Sequence, residues 1–234
     1  GCASGHEEVV RVLLDSGADV EDHNKYGFTP LMEAASAGHI HVAKVLLEHK
    51  NDINTRSNKF QKTPLTLACF IEPAEMLRLL LETDTNQEYK SYEMHAALIA
   101  ASINGHMEVA RLLLDSGAQV TMTNSSETPL TFAASRNLVN LAQLLIERGA
   151  NIEEVNGDGY TPLMQAALQN NEEMIVLLLS EGADVNAFRN RETKETALVM
   201  AENSCLEIAD LLIKAEADNE FFISLMEEGY FDFV

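Results

Sequence analysis

The side chains able to do chemistry in this chain are few and scattered. There are seven histidines and three cysteines in 234 residues. His6, His39 and His106 each follow a glycine. His23, His41, His49 and His95 have no cysteine or carboxylate at metal-ligand spacing. Cys2, Cys69 and Cys205 are odd in number, and their spacings fit neither a zinc site nor a disulfide framework. Cys69 lies in the apolar run 65–70, which reads as core, and small buried thiols imply a reducing compartment. The chain has no phosphate-binding loop, no glycine-rich dinucleotide turn and no nucleophile elbow. The residues therefore predict a non-enzyme, with no catalytic residue, cofactor or metal.

Charge narrows the partners. Thirty-seven acidic and 16 basic residues leave a net charge of −21, which repels phosphate backbones and anionic membranes. It favours another protein bearing a basic patch; the plainer reading is that it only keeps the chain soluble. The imbalance grows along the sequence, with 10 basic and 17 acidic residues in 1–117 against 6 and 20 in 118–234. No signal peptide is evident, and no apolar run nears the roughly 20 residues of a membrane span. The expected location is cytoplasmic or nuclear.

The elements that would position a site come from an internal repeat. Thr29-Pro30-Leu31 recurs as Thr63-Pro64-Leu65, Thr128-Pro129-Leu130 and Thr161-Pro162-Leu163. Weaker copies are Ala96-Ala97-Leu98 and Thr196-Ala197-Leu198, and the successive spacings are 34, 33, 32, 33 and 35. A second mark, Leu-Leu-x-x-Gly-Ala, ends at Ala18, Ala118, Ala150 and Ala183 with isoleucine for the second leucine in one copy. Each mark has a physical reason. The threonine caps a first helix, and the proline sits in its first turn, where no hydrogen bond is lost. A pair of alanines lets helices approach closely. Gly38 and Gly105 end the first helix, where a left-handed residue is wanted. The apolar residues of 42–47 have the spacing of a second, core-facing helix, closed by Gly17, Gly117, Gly149 and Gly182 at the equivalent place.

A period near 33 carrying Thr-Pro-Leu, Ala-Ala, Gly-His and Leu-Leu-x-x-Gly-Ala resembles the ankyrin repeat over nearly the whole chain. The resemblance implies an all-α solenoid of stacked helix-turn-helix units joined by β-hairpin loops, in one domain over 1–234. A partial repeat would occupy 1–22. Full repeats would follow at about 23–56, 57–89, 90–121, 122–154, 155–189 and 190–219, with a short C-terminal cap over 220–234. Segments 31–39, 109–120 and 146–156 also resemble the arrays of the ankyrin-repeat and KH-domain (mask) proteins, scaffolds with an RNA-binding KH domain. No KH signature is present, so RNA binding does not carry over.

The pattern breaks at identifiable places. Lys50, Asp84 and Glu216 replace the glycine that closes the second helix, where a left-handed non-glycine would cost about 1 kcal/mol. Asn137-Leu138, Asn170-Asn171 and Cys205-Leu206 replace Gly-His, and asparagine tolerates the left-handed region. Glu72-Pro73 predicts a different loop, with Pro73 beginning a second helix, so the third repeat is the least regular. The segment 221–234 reads as a cap over an open core or as an acidic tail that docks on a neighbour.

In the ankyrin fold the hairpin tips and first-helix faces line a concave groove. The resemblance places Phe28, Lys62, His95, Glu127, Tyr160 and Glu195 there, each just before a repeat's threonine position. Two residues earlier come Tyr26, Phe60, Glu93, Ser125, Asp158 and Thr193. Tyr26, Phe28, Phe60, Tyr92 and Tyr160 form a sparse aromatic ladder, either anchors for a partner or packing between hairpins. The segment 177–187 resembles a site of asparagine hydroxylation at Asn186; the alternative is a turn asparagine bonding its own backbone. The function implied is protein–protein interaction as a scaffold fragment. An engineered binder or a regulatory fragment of an enzyme are the alternatives. The altered structural positions favour natural divergence over a binder library.

Overall fold

The computed structural model describes residues 1–49, 51–57, 62–71, 74–83, 87–121, 128–189, 195–202 and 206–217. After a 3₁₀ turn at Cys2–Ser4 come α1 (Glu7–Asp15), α2 (Pro30–Ala37), α3 (Ile40–Glu48), α4 (Pro64–Ala68), α5 (Glu75–Thr83), α6 (Gln87–Asn104) and α7 (Met107–Asp115). Then follow α8 (Pro129–Ser135), α9 (Val139–Glu147), α10 (Pro162–Leu168), α11 (Glu172–Ser180), α12 (Ala197–Glu202) and α13 (Leu206–Ala217). Two compact units result, Gly1–Gln119 and Val120–Val234. In the first, α2, α4 and α6 pack side by side and α1, α3 and α5 form a second row behind them. In the second, α8, α10 and α12 make one row, with α9 and α11 behind. The β content among the described residues is one antiparallel bridge, Phe188–Thr196.

The first helices start as the sequence dictates. Thr29, Thr63, Thr128 and Thr161 accept a hydrogen bond from the backbone N–H three residues on, each with proline in the first turn. Near the ends of α2, α4, α6, α8 and α10 sits a pair of small residues: Ala34-Ala35, Ala68-Cys69, Ala101-Ser102, Ala133-Ala134 and Ala166-Ala167. All ten are at most 1 % exposed. Cys69 thus stands in for the second alanine, and burial pushes its thiol far above the ordinary range.

Reversal between the two helices depends on a left-handed residue, with the next N–H reaching back five residues. His39 N–H donates to Ala34 O and His106 N–H to Ala101 O. Leu138 N–H donates to Ala133 O and Asn171 N–H to Ala166 O at 2.9 Å each, with Asn137 at φ 54° and Asn170 at φ 58° in the glycine's place. Asn171 also takes over the histidine's part. His39 Nε2 donates to Ala3 O at 3.1 Å, and Asn171 Nδ2 donates to Ala134 O at 2.7 Å, each a carbonyl at the close of the preceding repeat's first turn or helix.

Two expectations are corrected. The fourth repeat does not begin with a hairpin. Without Gly and Thr-Pro to stop it, α6 runs for 18 residues, so Tyr92, Glu93 and His95 lie on a helix. Nor does Glu216 adopt a strained left-handed turn, because α13 continues through it to Ala217. The third repeat is irregular as expected, with an α4 of five residues. Lys50, Glu72-Pro73, Asp84, Cys205 and the segment 220–234 lie outside the described residues.

These closures predict how substitutions behave. Asn171→Ala lowers stability by about 1 kcal/mol through the lost inter-repeat bond. Asn170→Gly is neutral or stabilising, whereas Asn170→Val costs about 1–2 kcal/mol for a branched left-handed residue. Urea midpoints of the three variants test this ranking.

Candidate protein-binding surface

Turns between repeats present Tyr26, Phe28, Lys62 and Tyr160, and an asparagine organises two of these turns. Asn24 N–H donates to Phe28 O at 3.0 Å, while its Oδ1 accepts from the N–H groups of Tyr26 (2.8 Å) and Phe28 (3.1 Å). Gly27, at φ 80°, donates back to Asn24 O. Asn156 repeats the arrangement with Asp158, Gly159 and Tyr160 at 2.9–3.1 Å. Asn24 and Asn156 stand outside the marks of the repeat. Their signal was Asn-x-x-Gly just before the aromatic. In the third repeat Ser57 substitutes: its N–H donates to Lys62 O and its Oγ accepts from Lys62 N–H. Carboxylates tie neighbouring turns together. Glu21 accepts from Asp52 N–H, and Glu153 accepts from Asp184 N–H.

The aromatic side chains carry cations. Tyr26 is 47 % exposed, with Lys25 Nζ 4.9 Å from its ring centre. Tyr92 is 53 % exposed under the Arg56 guanidinium at 5.2 Å. Tyr160 is half-buried beneath Arg189 at 4.3 Å, and Arg189 also donates to Tyr160 Oη (2.7 Å), Asp158 O (2.7 Å) and Glu195 (3.2 Å). Lys62 lies over Phe70 at 5.1 Å, and Phe28 is half-buried. Tyr26, Tyr92 and Tyr160 are therefore cation-capped plates, not bare apolar anchors. Phe60 and Glu127 lie outside the described residues.

His95 does not reach the surface. It is 3 % exposed on α6, and its Nδ1–H donates to Gln119 O at 2.8 Å. The expectation that it presents itself to a partner fails because the hairpin it was assigned to is helix. Its neighbour Glu93 has a structural part instead. Only 5 % exposed, Glu93 is paired with Arg56 and accepts from the Thr63 hydroxyl at 2.9 Å, so α6 braces the start of α4. Asn186 is exposed, and its backbone N–H is held by Asp184 Oδ1 at 2.9 Å.

Among the described residues no group of three histidine, cysteine or acidic side chains converges, and no helix is long and apolar enough to cross a membrane. Partial burial raises the Glu154 carboxyl above its ordinary pKa.

Two outcomes follow. Glu93→Ala strands the half-covered Arg56 and lowers stability by about 2–3 kcal/mol, read by denaturant titration. Glu154 is held more tightly protonated in the folded chain than in the unfolded one, so its charge costs stability above the folded pKa. Glu154→Gln therefore raises the urea midpoint at pH 7, and this gain vanishes below the ordinary carboxylate range.

Comparison with known proteins places this geometry. A family model described as "Ankyrin repeats (3 copies)" matches residues 2–57, 52–124, 73–156, 98–189 and 153–222. The Caenorhabditis elegans "Ankyrin repeat and KH domain-containing protein mask-1" is 31 % identical over 224 residues, 92 % of this chain and 8 % of that protein. The human "Ankyrin repeat and KH domain-containing protein 1" is 57 % identical over 105 residues, 44 % of this chain and 4 % of that protein. The chain thus spans less than a tenth of the length of either relative. The crystal structure of the human ASB11 ankyrin repeat domain superposes with a TM-score of 0.79 at 27 % identity, covering 92 % of this chain and 95 % of that one. Capped first helices, small-residue pairs, left-handed closures and these matches agree: the chain belongs to the ankyrin-repeat family, a family of protein–protein interaction modules.

Proposed function

We propose that this chain binds another protein on the face made by its inter-repeat turns and first helices, as a scaffold segment of a longer polypeptide. The observation that carries this is the bonding of the turns. Among the described turns, those at Asn24 and Asn156 are locked by their own asparagine and the one at Ser57 by its serine, while Glu21 and Glu153 reach from their turns to the next at Asp52 and Asp184. Side chains on such turns lose little freedom when a partner docks. Tyr26, Phe28, Lys62, Tyr92 and Tyr160 supply the described contact residues; Phe60 and Glu127 complete the proposed set.

The partner carries a basic patch. Residues 118–234 hold 20 acidic against 6 basic groups, which supports that choice and disfavours nucleic acid and anionic membranes. An identity of 57 % over 105 residues with a natural human protein supports natural descent over a selected binder. The free, buried Cys69 thiol supports a reducing location, cytoplasmic or nuclear. Asn186, exposed at its turn, is the proposed hydroxylation site. A mass gain of one oxygen on its peptide from cells tests that, and an unmodified peptide in cells with active hydroxylase overturns it.

The binding face is tested by capture. Replacing Tyr26, Phe28 and Tyr160 together by alanine weakens partner capture about tenfold or more. Replacing Lys44 and Glu82, on the second helices, leaves it unchanged. Undiminished capture by the triple variant, or salt-insensitive capture, contradicts the face or the charge argument respectively.

A further inference from the structure

In the second unit a cleft of about 530 Å³ opens on the turn and first-helix face. Thr131, Phe132 and Ser135 of α8 form one wall, Gln165 of α10 another, and the turn at Asn156, Gly157 and Asp158 its rim. None of these residues was singled out for a pocket by the repeat pattern, because the pattern marks turn positions and says nothing of the space between two first helices.

We propose that this cleft is a subsite for one arginine side chain of an extended partner segment. The inference rests on the protein-binding role of this face and names what the face selects. The lining contains one full charge, the exposed Asp158 carboxylate, and no lysine or arginine. Asp158 takes part in its turn through its backbone: its N–H donates to Asn156 Oδ1, and its carbonyl accepts from Arg189 Nε. Its carboxylate is not used in either bond. Arg189, occupied with Tyr160, Glu195 and that carbonyl, is not among the residues lining the cleft.

The rest of the lining suits a guanidinium more than an ammonium. Ser135 Oγ donates to Phe132 O, which leaves its lone pairs to accept. Gln165 contributes a carbonyl acceptor, and the half-buried Phe132 offers a ring against which a planar cation stacks. Several acceptors around an aromatic wall match five donors in a fixed plane, whereas a lysine would use only the charge. The cleft volume falls within the roughly 300–1,000 Å³ of small-ligand pockets, enough to enclose one long side chain.

The probe is a phage-displayed library of random twelve-residue peptides panned against the whole chain. The expected result is a consensus with arginine at one position. Replacing that arginine by citrulline, neutral but of the same shape, weakens binding about tenfold on the unaltered chain. Asp158→Asn, which keeps the backbone bonds of the turn, removes the difference between arginine and citrulline. Gln165→Lys, which places a cation in the cleft, weakens the arginine peptide by a similar factor. Unchanged urea midpoints show that both variants fold. Selected peptides without arginine, equal preference for lysine, or an arginine preference that survives Asp158→Asn overturns the subsite while leaving the binding face intact. If no peptide is selected at all, both readings fall.

Discussion

The structure depends on one reversal, repeated along the chain. A first helix must turn back on itself within two residues so that a second helix can pack against it. That requires a residue in the left-handed region, followed by an N–H that reaches five residues back. It also requires small side chains where the first helices meet. The buried pairs from Ala34-Ala35 to Ala166-Ala167 meet the second demand. Gly38, Gly105, Asn137 and Asn170 meet the first among the described residues. Each reversal fixes the exit direction of its second helix, and the next turn and threonine cap follow from that.

Because the helices are set this way, the turns between repeats are free to differ. Two are organised by asparagine, one by serine, and in the fourth repeat the turn is replaced by the start of α6. That replacement is not a loss of order. It brings Glu93 to Thr63 and Arg56, so a buried carboxylate does what a hairpin does elsewhere and ties one repeat to the last. The scaffold stays constant while the surface varies, which is the physical basis for recognition by a repeat protein.

Charge acts on two scales. Over the whole sequence the excess of carboxylates favours basic partners. Locally several carboxylates are occupied with backbone N–H groups, as Glu21, Glu153 and Asp184 show, while the rings of Tyr26, Tyr92 and Tyr160 are covered by Lys25, Arg56 and Arg189. A partner therefore meets cation-capped aromatics and selected free carboxylates such as Asp158, not a uniform negative sheet.

The repeat, its period and the starts of α2, α4, α8 and α10 were legible because each mark answers a local backbone demand: threonine and proline start a helix, glycine or asparagine reverses it. Even the substitutions at Asn137 and Asn170 could be read, since left-handed tolerance is a property of the residue itself. What the sequence could not reveal is decided by distant partners. Asn171 replaces a histidine only because Ala134 O lies within reach, 37 positions away. His95 is buried because α6 begins early and Gln119 covers it. Tyr160 carries a guanidinium 29 residues further on, and the cleft beside Asp158 exists only where two first helices and a turn converge. Local propensity sets the elements, whereas which side chains meet across repeats depends on the stacking that only the folded chain defines.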